Sequence, residues 1–174
     1  MAIKELDFKS IEDVFKYAIM VENRGYEFYT NAAERMTNET AKMFFNEFAE
    51  EEREHKRILA ELYKSWRREG NWNESLLKEE RTPGFDIHDP IIGQAIRKGL
   101  ASSSFDTTAV DIAIVLEKEA SAFYKEAATK VEDAELKKIL NWLSTWEDDH
   151  YRYMVELNDS LREDYWHDNG FWPF

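Results

Sequence analysis

One pattern of glutamate and histidine residues, written twice with a constant separation of 95 positions, constrains this chain more than any other feature. The first copy is Glu22 followed by Glu52-x-x-His55, and the second is Glu117 followed by Glu147-x-x-His150. Residues 18–33 and 113–128, which surround the first glutamate of each copy, are identical at seven of sixteen positions. A fixed internal offset indicates a duplicated structural unit. Two copies suit a pseudo-symmetric bundle better than a solenoid, which needs more repeats.

Each copy is predicted to be a pair of antiparallel helices. Apolar and small side chains recur at three- and four-residue steps in both copies, which is the period of a helix with one buried face. Ser10 and Asn38 are suitable N-caps. We therefore predict one hairpin over residues 11–66 and a second over 108–160, each with a short turn. The predicted fold class is all-α, a four-helix bundle built from two duplicated hairpins within a single domain, 1–174.

The segment between the hairpins, residues 67–107, is long for a loop in a compact domain. A connection that runs the length of the bundle would explain it, since helices of about 25 residues are roughly 37 Å long. Within it, Asp89-Pro90 followed by apolar residues predicts a short helix near 90–100. The aromatic tail, residues 161–174, is predicted to pack on the bundle or on a second subunit, and a homodimer is expected.

Composition and charge exclude several classes of protein. The formal net charge is −13, so we expect neither nucleic acids nor anionic membrane surfaces as partners, because their phosphates would be repelled. The chain has no cysteine, which excludes disulfides, thiol catalysis and cysteine-ligated metal centres. We find no secretory signal and no stretch that approaches a membrane span, and we expect a cytoplasmic protein.

The repeated pattern has the donor inventory of a centre with two metal ions. A glutamate and a histidine three residues apart lie on one face of a helix, so both can bind one ion. The six candidate ligands supply oxygen and nitrogen but no sulfur, a set that suits iron or manganese and permits zinc or cobalt; they are Glu22, Glu52, His55, Glu117, Glu147 and His150. Phe48 and Leu143 lie one turn before the glutamates on the same face. Carboxylates on so apolar a face would be costly unless paired or metal-bound.

Three neighbouring positions bear on the function of this centre. Tyr29 and Tyr124 follow Glu22 and Glu117 by two helical turns, and each is predicted to donate a hydrogen bond to a ligand carboxylate; a core tyrosine is the alternative. Gly25 lies one turn beyond Glu22. It either leaves room above the metal ions for a small oxidant or permits close packing of helices.

Other acidic residues close to the candidate ligands in sequence are predicted to be solvated. Helical phase directs them away from the ligand face, and we include Glu51 among them. Trp142 and Trp146 are predicted to be packing residues rather than electron relays.

With these residues identified, the chain resembles the rubrerythrin-like branch of the ferritin-like di-iron proteins. The two ExxH pairs, the tyrosine seven residues after each remaining glutamate, and the long crossover carry the resemblance over about 11–66 and 107–160. It implies that the six candidate ligands hold two irons, that Tyr29 and Tyr124 are their hydrogen-bonding neighbours, and that the centre reacts with hydrogen peroxide or dioxygen.

Two departures from rubrerythrins concern electron supply and ligand number. Rubrerythrins carry a cysteine-ligated iron domain that feeds electrons to the di-iron centre, and this chain has no cysteine. They also have another glutamate one turn after the third-helix ligand, where this chain has Ala120. An oxidoreductase would therefore need an external electron donor. The alternatives are a ferroxidase or iron-handling protein, and a non-enzymatic bundle in which the metal is structural and the crossover or tail binds a partner.

Overall fold

The computed structural model describes residues 8, 10–77, 89–101 and 104–168. Within these ranges the chain forms helices, turns and short loops and has no strand, which confirms the predicted all-α fold. Four long helices make the bundle, and a shorter helix lies in the crossover with one turn of 3-10 helix at Glu74–Leu76. In chain order the helices are α1 (Ile11–Arg35), α2 (Glu39–Glu69), α3 (Pro90–Leu100), α4 (Ser104–Lys130) and α5 (Ala134–Asp168).

Local sequence signals account for the helix ends. The Ser10 hydroxyl accepts a hydrogen bond from the Asp13 N–H at 3.2 Å, and the Asn38 side chain accepts from the first turn of α2. Asp89 does the same for α3, which begins with Pro90. Gly70 ends α2 in a left-handed conformation, with φ of 69°, where glycine carries no steric penalty.

The helices pair as two hairpins, α1 with α2 and α4 with α5, and α1 packs against α4. Tyr29 in α1 contacts Glu117 in α4, while Glu22 contacts Tyr124. A residue further along α1 thus meets a residue earlier in α4, so these two helices are antiparallel. The end of α2 and the start of α4 consequently lie at opposite ends of the bundle.

The described parts of the crossover lie at these two ends. Near its start, the Trp72 indole N–H lies 3.2 Å from the carboxylate of Asp133, which precedes α5. Near its end, α3 packs on α2 and α5, and Arg97 Nε donates to Asp164 at 2.9 Å. Residues 133 and 164 are separated by about 46 Å of helix at 1.5 Å per residue. The two described parts of the crossover therefore lie at opposite ends of the bundle.

The final helix extends further than predicted. It continues to Asp168 rather than ending near residue 160, and Tyr165 and Trp166 on it are exposed. The segment has no glycine or proline before Gly170 that would stop it. Residues 169–174 of the predicted tail and residues 78–88 of the predicted crossover lie outside the described residues.

The apolar core is divided into two clusters by a polar layer. One cluster contains Tyr29, Phe44 and residues of α3, and the other contains Phe15, Leu59 and Tyr124. The candidate metal ligands lie between the two. Among the described helices, none combines the length and the hydropathy that crossing a membrane would require.

Candidate metal centre

The six candidate ligands come together in the buried layer at the middle of the bundle. Each of the four long helices contributes, α1 and α4 with one glutamate each and α2 and α5 with a glutamate and a histidine. None is more than 4% exposed. Their donor atoms form two groups, each within 4.8 Å, that share Glu147, namely Glu22, Glu52, His55 and Glu147 in the first, and Glu117, Glu147 and His150 in the second.

Both histidines turn Nδ1 toward the carboxylates. His55 Nδ1 lies 2.8 Å from Glu22 Oε2 and 3.0 Å from Glu147 Oε1. His150 Nδ1 lies 3.6 Å from Glu117 Oε2, too far for a hydrogen bond. The cluster thus presents one nitrogen of each ring and the oxygens of four carboxylates to a common volume.

Several of these inward-facing atoms have no hydrogen-bond partner although they are buried. They are Glu117 Oε2, Glu147 Oε2 and His150 Nδ1, and also Glu147 Oε1, whose 3.0 Å contact with His55 Nδ1 does not have hydrogen-bond geometry. A buried polar atom without a partner costs about 1–3 kcal/mol, and more when it is charged. A bound cation would satisfy all four, so the residues present fit a metal centre.

The two tyrosines cross between the hairpins. Tyr29 Oη of α1 donates to Glu117 Oε1 of α4, and Tyr124 Oη of α4 donates to Glu22 Oε1 of α1. Burial, followed by the nearby carboxylates, raises the pKa of each phenol well above its usual value. Both hydroxyls therefore keep their protons and act as donors that fix one oxygen of each glutamate.

Crowding of like charges shifts the ionisation of the metal-free cluster. Burial and then the neighbouring carboxylates raise the pKa of Glu52 well above its usual value, and burial with Glu22 raises the pKa of Glu147 to about 8. Burial alone would lower the pKa of His55, but the charges of Glu22 and Glu147 outweigh it and the net shift is upward. Without metal, the cluster therefore retains protons at neutral pH that a cation would displace.

A cavity of about 150 Å³ between α1 and α4 leads to the carboxylates. Glu52 and Glu117 line it together with Gly25 and Ala120. Beside it, the partly exposed side chains of Arg24 and Glu119, which are equivalent positions in the two repeats, form an ion pair at 3.4 Å. The cavity connects the cluster with the α1–α4 surface.

Gly25 makes room for the side chain of Glu52, one of the candidate metal ligands. A Cβ atom at this position would lie 2.6 Å from Cδ of Glu52 and 3.1 Å from its Oε2. Of the two alternatives drawn from the sequence, the distances show a close approach by a carboxylate rather than by another helix. The space next to Gly25 is occupied by Glu52 itself.

The prediction that Glu51 is solvated is wrong. Its side chain is buried, and Oε2 lies 2.7 Å from Nε2 of His150. Helical phase places Glu51 off the ligand face of α2, but that direction leads to α5 rather than to water. Trp146 packs as predicted, with its ring centroid 4.2 Å from that of His55.

The comparisons with known proteins agree with this architecture. The family model described as Rubrerythrin matches residues 13–158, a range that covers most of both hairpins and all six candidate ligands. Comparison with curated proteins, and with solved structures, gives no match. The chain belongs to the rubrerythrin family.

Proposed function

We propose that the cluster holds two iron ions and that the protein reduces hydrogen peroxide or dioxygen with electrons from an external donor. The observation that carries this proposal is the convergence of buried, unpartnered donor atoms of Glu117, Glu147 and His150 on one volume. Buried donor atoms without partners destabilise the fold, and a bound cation would provide the missing partner.

Charge and donor type support two divalent ions. Four carboxylates supply up to four negative charges, which two divalent cations would neutralise. Glu147 belongs to both donor groups, so its carboxylate would help to hold both ions. The oxygen and nitrogen donors suit iron or manganese and permit zinc. Iron, when bound, would supply the redox chemistry.

The volume of the cavity favours a small co-substrate. Drug-sized ligands occupy sites of about 300–1,000 Å³, whereas this cavity measures about 150 Å³. Peroxide and dioxygen would fit, and a bulky organic substrate would not. Glu52 and Glu117 line the cavity and belong to the cluster, so an entering molecule would meet these two carboxylates.

The surrounding residues hold the donors in place and limit water. Tyr29 and Tyr124 each fix one glutamate oxygen, which leaves the other oxygen directed to the cluster. Phe48 packs its ring 5.3 Å from His150, and Trp146 covers His55. The low exposure of these groups strengthens electrostatic interactions inside the layer.

An anaerobic Fe(II) titration followed by one addition of hydrogen peroxide, monitored by ultraviolet–visible absorbance, tests the proposal. We expect saturation at two irons per chain and fast oxidation. Glu147→Ala should lose metal, whereas Glu50→Ala, which removes an exposed carboxylate from the site's own helix α2, should keep both ions.

Three results would contradict the proposal. Unchanged metal content in Glu147→Ala would show that the site is misassigned. Uptake of many irons per chain by a large assembly would favour iron handling. Tight metal binding without oxidation would favour a structural metal.

A further inference from the structure

The two histidines have different surroundings on the side that faces away from the cluster. With Nδ1 turned inward, each ring directs Nε2 outward. His150 Nε2 lies 2.7 Å from the buried carboxylate of Glu51. His55 Nε2 is buried and has no hydrogen-bond partner among the described residues. The two histidines thus occupy equivalent positions in the internal repeat but have different neighbours at Nε2.

The difference follows from a single pair of equivalent positions. The 95-residue offset that matches Glu52 with Glu147 also matches Glu51 with Trp146. Each of these two residues reaches across to the histidine of the other hairpin, Glu51 to His150 and Trp146 to His55. A carboxylate accepts hydrogen bonds, but an indole N–H can only donate. Trp146 therefore cannot accept a hydrogen bond from Nε2 of His55, whereas Glu51 can accept one from Nε2 of His150.

We propose that Glu51 is a positioning residue for one metal position only, the one that contains His150, and that the two positions are therefore chemically unequal. When Nδ1 binds a metal, Nε2 carries the ring hydrogen and donates a hydrogen bond to the Glu51 carboxylate. Such an acceptor fixes the tautomer and ring orientation and increases the basicity of the ligand; its loss typically weakens metal binding 10–100-fold. This inference rests on the proposed metal centre.

Half-site variants allow the two positions to be tested separately. His55→Ala leaves the position that contains His150, and His150→Ala leaves the position that contains His55. The Glu51→Leu substitution is introduced into each background and into the wild type. Binding of Co(II) under argon is followed by its visible absorption bands, and metal-free unfolding is recorded to verify that each variant folds.

We expect Glu51→Leu to weaken Co(II) binding about 10–100-fold in the His55→Ala background and to leave it unchanged in the His150→Ala background. Glu51→Gln keeps an acceptor oxygen at the same reach and should restore most of the affinity. Glu50→Leu removes an exposed charge from the preceding position and should affect neither background. If Glu51→Leu does not fold, Glu51→Asp, which shortens the side chain by one methylene, should show the same selective loss.

Equal weakening in both backgrounds would mean that Glu51 acts through overall charge or packing, and the inference would be overturned. No weakening in either would overturn it as well. Both results differ from failure of the proposed metal centre, in which the unmodified protein would not bind two Co(II) ions and the inference would fall with it.

Discussion

Gly25 offers a sharp test, because replacing it should move protein stability and metal affinity in opposite directions. It lies in the interior of α1, where the backbone does not need glycine: among the described glycines only Gly70 has a positive φ. Alanine is favoured over glycine in a helix by about 1 kcal/mol. By this criterion alone, Gly25→Ala would stabilise the protein.

The new methyl group would collide with Glu52. Carbon atoms in favourable contact are about 3.5–4.0 Å apart, whereas the added Cβ would lie 2.6 Å from Cδ of Glu52. The carboxylate must therefore move by about 1 Å or more. In the metal-free protein it can rotate away, so we expect a gain in unfolding free energy of up to about 1 kcal/mol, or roughly 2–4 °C in Tm. In the metal-bound protein a displaced ligand should reduce affinity at least about 10-fold, equivalent to about 1.4 kcal/mol.

Thermal unfolding of metal-free and Co(II)-loaded protein measures both effects, because a ligand that binds only the folded state raises its stability in proportion to its affinity. The matched control is Ala120→Gly at the equivalent position of the second repeat. It should lose about 1 kcal/mol of stability and keep its metal affinity. If Gly25→Ala binds both ions as tightly as the wild type, or if the metal-free variant is destabilised by several kcal/mol, the reasoning about Glu52 is wrong.

Two further perturbations have outcomes that the geometry specifies. Tyr124→Phe leaves Glu22 Oε1 without its donor, so we expect urea denaturation to show a loss of about 1–3 kcal/mol in the metal-free protein; an unchanged unfolding free energy would show that water replaces the phenol. Burial and Glu22 raise the pKa of Glu147 to about 8, and a metal ion must displace the proton that Glu147 holds below that pH. The apparent metal affinity should therefore increase as pH rises from 6 to about 8, and above that Glu147 should contribute no further increase. Titrations at pH 6, 7, 8 and 9 measure this, and an affinity independent of pH would contradict it.

The sequence by itself determined the fold class and the set of candidate ligands. Helix periodicity and capping residues are local signals, and the helices begin at or close to the positions they indicate. The 95-residue offset paired Glu22 with Glu117 and the two ExxH segments with each other. Since residues three apart share a helix face, the sequence was enough to predict that these six side chains converge.

Only the tertiary structure decided how the rest of the site is arranged. Helical phase gives the direction of Glu51 from the axis of α2, about 100° from that of Glu52, but it does not say which neighbour lies in that direction. The neighbour is His150 of α5, not solvent. Likewise, the tyrosine spacing predicted a contact with a ligand carboxylate, but which hairpin each tyrosine serves depends on the antiparallel packing of α1 against α4. The repeat in the sequence predicts two equal halves, and the contacts of Glu51 and Trp146 with the facing hairpin make them unequal.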